Sequence, residues 1–223
     1  MIVADQFHPG TFVDAFRWIG DNPGYLLDKT AAHLELSLTA LAIALVASLP
    51  LGLWLGHRRR GLFFALSVSS VGRALPSVVL IAFGVAVLGV GFWNNTAALT
   101  VLAIPSILTN AYFGIAGVDR DVVEAARGMG LSERQILFRV ELPLGLPLVI
   151  AGIRIATIFV IATATIAAVA GGDGLGEPIV NQASNGLAGV VGASYCVSAL
   201  TLFAALLLTI VQRSASRRPE PRA

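Results

Sequence analysis

Apolar residues in this chain fall into long blocks without charge, separated by short charged stretches. Leu36 to Gly56 contains no charged side chain. An α-helix rises about 1.5 Å per residue, so a block of this length covers a hydrocarbon core of roughly 30 Å. Ala74 to Val118 is also uncharged and is long enough for two spans, with Gly89-Val90-Gly91 and Asn94-Asn95-Thr96 marking the turn between them. Leu148 to Ala170 is interrupted only by Arg154 and ends at the glycine-rich stretch Gly171 to Gly176. Ala193 to Gln212 is the last uncharged block. Leu62 to Val71 is too short for a span of its own and reads as an oblique lead-in to the second span, kinked near Pro76. The pattern predicts an all-α integral membrane protein with five transmembrane helices. Residues 1–33 form an N-terminal segment, 34–212 the membrane domain, and 213–223 a tail.

Composition agrees and removes several classes. Hydrophobic residues make up 56% and charged residues 13%, against about 25% charged in soluble domains; mean hydropathy is +0.81. The first 30 residues are acidic and lack an early apolar core, so no signal peptide is expected. The single cysteine, Cys196, excludes an internal disulfide and a zinc site of the CxxC type. His8, His33 and His57 are far apart and have no metal-ligand spacing. A phosphate-binding loop needs a glycine-rich turn followed by Gly-Lys-Ser/Thr. The lone lysine, Lys29, follows Asp28, so the chain cannot hydrolyse ATP through such a loop. Paired His, Asp or Glu residues are absent from the cores of spans two, three and five, which argues against a membrane-embedded enzyme.

Basic residues set an expected orientation. Arg58, Arg59, Arg60 and Arg73 flank the first connection, Arg120, Arg127, Arg134 and Arg139 lie in the third, and Arg213, Arg217, Arg218 and Arg222 follow the last span. Before span one, Arg17 and Lys29 are outnumbered by Asp5, Asp14, Asp21, Asp28 and Glu35; 171–192 has no Lys or Arg. The positive-inside rule then places the N-terminus outside and the C-terminus in the cytoplasm.

The third connection, residues 119–147, has a pattern of its own. Asp121 and Ser132 are N-cap candidates, each followed three positions later by a capping-box partner, Glu124 and Gln135. Gly130 separates two short helices and can supply a left-handed turn. Pro143 is expected to stop the second helix and Pro147 to start span four. Val122, Val123, Ala126 and Met129 form the apolar set of the first helix, and Ala125 and Ala126 are small enough for a partner backbone to approach. Two readings stand: a helix docked on a soluble partner, or one lying on the membrane surface. A nucleic-acid-reading helix-turn-helix is disfavoured. Asp119 to Glu141 holds four basic and five acidic residues, which would repel a phosphate backbone.

The segment resembles the EAA loop of ABC-importer permeases. Glu124-Ala125-Ala126, then Gly130, then Val140-Glu141-Leu142-Pro143 keep that spacing, with Val140 where the pattern often has Ile. The wider likeness runs over about residues 33 to 215. It is most similar to MetI-like permeases of the osmoprotectant group, through Arg73-Ala74-Leu75-Pro76-Ser77, Val118-Asp119-Arg120-Asp121, Gly152-Ile153-Arg154 and Gly174-Leu175-Gly176. Asp173 departs from the family's usual Ala/Gly run. The resemblance implies a MetI-like type I importer permease fold in a bacterial inner or plasma membrane. It implies four partners: a cytoplasmic ABC ATPase dimer, a second permease chain (identical or paralogous), an external substrate-binding protein and the bilayer. The chain would carry no cofactor, with ATP and Mg on the ATPase. Glu124, Ala125, Ala126, Met129, Gly130, Leu142 and Pro143 would be the coupling residues. The implied cargo is glycine betaine, choline, carnitine or proline; the alternatives are a permease for an amino acid or other small solute, or a passive channel or membrane enzyme.

Four residues stand as gate or pathway candidates: Pro76, Trp93, Tyr112 and Arg154. Trp54, Trp93, Tyr112 and Tyr195 can contact a cation through their ring faces or anchor the chain at the interface. Arg154 can snorkel to the interface or contact the coupling loop of its own chain. Pro50, Pro76 and Pro105 are kinks or flexing points, and Gly52 and Gly56 fit close helix packing.

Overall fold

A computed structural model of the chain describes residues 10–216. His8, Arg217, Arg218 and Arg222 lie outside the described residues. The fold is a series of helices: α1 (Thr11–Asp21), α2 (Pro23–His57), α3 (Leu62–Ala74), α4 (Ser77–Leu88), α5 (Phe92–Ala116), α6 (Arg120–Gly128) and α7 (Glu133–Ile136). A π-helical segment (Leu137–Glu141) leads into α8 (Leu142–Ala164), a 3₁₀ segment (Thr165–Ala170), α9 (Glu177–Val180) and α10 (Gln182–Ser216).

Among the described residues, four helical stretches are long and apolar enough to cross a membrane: Pro23–His57, Phe92–Ala116, Glu133–Ala170 and Gln182–Ser216. Helices α3 and α4, separated by a break, make a fifth if counted together. The break follows from Pro76, which caps α4 in an extended conformation, while Leu75 before it is extended too (φ −75°, ψ 120°). Proline disfavours helical geometry in the residue that precedes it.

The turn before α5 is narrower than the sequence suggests. Gly89 (φ +78°) and Gly91 (φ +145°) make it. Asn94, Asn95 and Thr96 lie in the first turns of α5 and are buried. Asn94 Nδ2 donates to the Ile81 carbonyl on α4 at 3.4 Å and Thr96 Oγ1 to the Phe92 carbonyl at 2.8 Å. These residues belong to the helix and not to the turn.

The chain divides into two compact units. The first comprises Met1–Leu41, Pro76–Thr100 and Ile158–Phe203. Much of the segment expected to precede the membrane domain is helical here: α1, then the start of α2. Trp18 of α1 rests on Gly189 and Gly192 of α10, where a Cβ would meet its ring. Leu26, Leu175 and Val197 form the core beside them. Lys29 of α2 pairs with Asp173 at 2.8 Å and with Glu177. His33 is fully buried, its Nε2 donating to the Ile161 carbonyl at 2.9 Å.

The second unit comprises Ala42–Leu75, Val101–Thr157 and Ala204–Ala223. Its helices meet at glycines. Gly52 and Gly56 of α2 lie on the α5 backbone at Leu108 and Tyr112. Gly145 of α8 lies on Gly114 of α5, and Gly152 on Ser106 and Asn110. Without a side chain, two helix backbones approach closely and gain dispersion contacts that lipid does not offer. Leu55, Ala65, Leu108 and Tyr112 fill the space between. The charged insert, α6 to the π segment, belongs to this unit.

Candidate functional site

The insert is a small self-supporting body. Asp119, not Asp121, caps α6: its side chain accepts the Asp121 amide at 2.9 Å. The helix starts at Arg120, two residues earlier than the sequence reading, so Glu124 is not the box partner. Ser132 and Gln135 do form a reciprocal capping box. Gly130 takes φ +83° between the two helices, and the Leu131 amide reaches back to the Ala126 carbonyl at 3.2 Å. Arg127 on α6 grips Glu133 on α7 with two hydrogen bonds, 2.9 and 3.2 Å.

Pro143 and Pro147 neither stop nor start a helix. The chain runs helically from Glu133 through the π segment into α8, with Pro143 in its first turn and Pro147 inside it. The Leu142 amide donates to the Leu137 carbonyl five residues back. A proline ring clashes with the carbonyl four residues earlier. The wider π turn just before Pro143 inserts one residue and eases that clash.

Burial sorts the sequence-predicted coupling residues into two groups. Val123 and Ala126 face inward, in a cluster with Val118 and Ile136 that Leu131, Val140 and Leu144 enclose. Ala126 is only 2% exposed; it packs in its own chain and cannot receive a partner backbone in this conformation. Glu124 and Ala125 are exposed, with Val122 at 43% and Met129 at 75%. Leu142 is half-buried, and Pro143 and Gly130 are exposed. Helical spacing marks an apolar stripe, but not whether the stripe faces its own chain or another.

Beneath the insert lies a charged contact that sequence reasoning missed. His57, the last residue of α2, places Nδ1 2.5 Å from Glu141 Oε2 and Nε2 3.2 Å from Glu133 Oε2. Glu141 is 1% exposed, and a carboxylate is almost never buried unless paired. Arg59 donates to the Val118 carbonyl at 2.6 Å and holds φ +49°, a left-handed conformation uncommon outside glycine. Arg58, Arg120 and Arg127 line the same pocket.

The gate candidates scatter. Tyr112 is 5% exposed in the core cluster and is a packing residue. Arg154 Nη1 donates to Thr209 Oγ1 on α10 at 3.0 Å. Trp93 and Trp54 are exposed, at 69% and 54%. Tyr195 stacks against Phe16, with ring centroids 5.2 Å apart. Pro76 marks the α3–α4 break.

Helices long and apolar enough to cross a membrane, joined by a capped and internally packed charged insert, define a membrane-protein class. The family described as "Binding-protein-dependent transport system inner membrane component" matches residues 48–220, and the chain belongs to that family. A glycine betaine/carnitine/choline transport system permease protein, OpuCB of Bacillus subtilis (strain 168), is 37% identical over 158 residues, covering 71% of this chain and 73% of the relative. The choline transport system permease protein OpuBB of the same organism is 36% identical over 163 residues, covering 73% and 75%. Among solved structures, inward-facing MetNI methionine ABC transporter has a TM-score of 0.74 at 20% identity, covering 86% of this chain and 97% of that one. The chain therefore has the MetI-like fold and is a non-enzymatic permease subunit of the inner membrane.

Proposed function

We propose that this chain lines the pore of an ATP-driven importer for compatible solutes such as glycine betaine, choline, carnitine or proline. The likeness to OpuCB, at 37% identity over 158 residues, is the observation that carries the substrate class. Two permease chains form the pore, and a binding protein delivers the solute from outside. The exposed face of α6, with Glu124, Ala125 and Met129, seats in a groove on a cytoplasmic ATPase. ATP and Mg belong to that partner. When ATP closes the ATPase dimer, the insert moves, and α5 and α8 on either side of it turn the gate. The orientation that fits has the N-terminus outside and the C-terminus in the cytoplasm, because the arginines cluster on the insert's side.

Copurification and uptake test this reading. A tagged chain should bring an ABC ATPase through purification. The reconstituted complex with its binding protein should take up one of these four solutes in an ATP-dependent manner. ATP-driven uptake of an amino acid other than proline, with none of these four, would overturn the substrate class. Ungated solute flux without ATP would overturn the importer.

A further inference from the structure

We propose that His57 is a positioning residue that binds the end of α2 to the insert, so that this helix moves with the insert and not only α5 and α8. The inference rests on the importer reading above and names a route of force within it.

A continuous chain of contacts supports it. Arg127 on the exposed helix α6 holds Glu133 on α7 through two hydrogen bonds. The same carboxylate is met by His57: Glu133 Oε2, which also accepts from Arg127 Nη2, lies 3.2 Å from its Nε2. The opposite ring nitrogen, Nδ1, meets Glu141 Oε2 at 2.5 Å, at the end of the π segment. One imidazole therefore bridges the first residue of α7 and the last residue of the π segment, and it is itself the last residue of α2. The His57 side chain is 10% exposed and that of Glu141 1%. A short bond made inside protein is not loosened by water or salt as a surface pair is. The surroundings suit two carboxylates on one ring, since Arg58, Arg59, Arg120 and Arg127 line the same pocket, with Glu124 the further acid there. The adjacent Arg59–Val118 hydrogen bond is a second tie between the end of α2 and the start of the insert.

A lever that is merely hung between α5 and α8 does not need this link. A buried polar contact usually gives little net stability over apolar packing, but removing one partner leaves the other without its hydrogen bond in the interior. Such a bond holds two elements in one register or lets go, which suits a part that must transmit displacement without slipping.

The test uses the whole complex with its ATPase and binding protein in proteoliposomes, and reads solute moved per ATP hydrolysed. His57→Ala and Glu141→Gln should each lower that ratio about tenfold, the scale of energetic coupling through a contact network. The double variant should be no worse than either, because partners in one interaction are not additive. His57→Lys, whose ammonium can donate to both carboxylates, should recover most of the ratio. Glu133→Gln stands on the exposed side, leaves the buried pair intact and should lower the ratio about threefold. If the buried variants fail to assemble, Glu133→Gln and His57→Lys decide. Parental ratios in both, a Lys variant as poor as Ala, or losses that multiply in the double variant overturn the strut. Uptake by the parent with unchanged ratios in the variants removes the strut alone. Absence of ATP-driven uptake by the parent removes the importer reading and the strut with it.

Discussion

Gly145 and Gly114 touch backbone to backbone: a methyl group placed on Gly145 would fall on the Gly114 carbonyl, and one on Gly114 would lie 2.9 Å from the Gly145 oxygen. This contact sets how closely α5 and α8 pack, and these two helices enter and leave the insert. Gly145→Ala is therefore expected to destabilise by about 1–3 kcal/mol, the usual cost of overpacking. Gly128→Ala is the control. Nothing lies within 4 Å of a Cβ there and its backbone is helical, so it should be neutral or stabilising by about 0.5–1 kcal/mol. Thermal inactivation midpoints in detergent compare the two; equal midpoints would refute the close contact.

Ala125 and Ala126 are neighbours with opposite duties. Ala126→Arg forces a charge into the insert's own core and should unseat the insert whatever docks outside, so it cannot test docking. Ala125 is exposed. Ala125→Arg should leave membrane insertion and folding unchanged. It should weaken ATPase association by at least about 30-fold, the size of a central interface residue. Copurification with the ATPase measures it. A helix lying on anionic lipid would tolerate or favour the added charge, so normal association by Ala125→Arg would support that reading over docking.

Local signals were legible in the sequence and long-range ones were not. The uncharged blocks gave the spans, because a bilayer core admits few charges. Ser132 with Gln135, and Gly130, could be read because capping and left-handed turns depend on residues a few positions apart. His57 and Glu141 are 84 positions apart and Lys29 and Asp173 are 144 apart, so no spacing announces them. Glu141 occupies a position where the family pattern accepts any residue. Asp173 looked like a break in an Ala/Gly run, yet it is the acceptor for Lys29. Pro143 misled because a π turn, which has no clear sequence mark, accommodates it, and Pro147 because it lies inside the continuous helix α8.

The Lys29 contact makes its own prediction. Asp173 and Glu177 hold the loop before α10 against α2 through this one ammonium. The Lys29 hydrogen bond keeps the Asp173 carboxyl below its usual value. A lowered carboxyl pKa gives stability that is present at neutral pH and is lost as the pH falls through the lowered value. Lys29→Met should make a cysteine placed at Asn181 label faster, in a Cys196→Ala background, and the parent should approach that rate only in strong acid or high salt. Identical labelling of variant and parent at pH 7 and low salt would show that the pair does not restrain the loop.

Sidedness can be read with exposed probes. Cysteines at Arg60 and Ser214 should be protected from impermeant reagents in intact cells, and those at Val13 and Gly186 labelled; all four positions are exposed in the fold. His57 is unsuitable because its side chain is engaged. External labelling at Ser214 would reverse or break the five-span arrangement.

Gly130 tests how the insert hands on force. Its φ of +83° lies in the left-handed region, and nothing stands within 4 Å of a Cβ there. Space is therefore not the obstacle, and any cost of substitution is backbone strain alone. A β-branched residue pays on the order of 1–2 kcal/mol in that region, whereas Asn visits it more readily. A shift of that size changes a two-state equilibrium about tenfold. Gly130→Val is expected to assemble with the ATPase and still hydrolyse ATP. Its hydrolysis should respond weakly to the loaded binding protein, and uptake should fall about tenfold. Gly130→Asn should lie near the parent. Binding-protein-stimulated ATPase in proteoliposomes separates them. Were Val and Asn both to match the parent, the joint between α6 and α7 would carry no strain that matters, and the insert would transmit its motion through the His57 and Arg127 contacts instead.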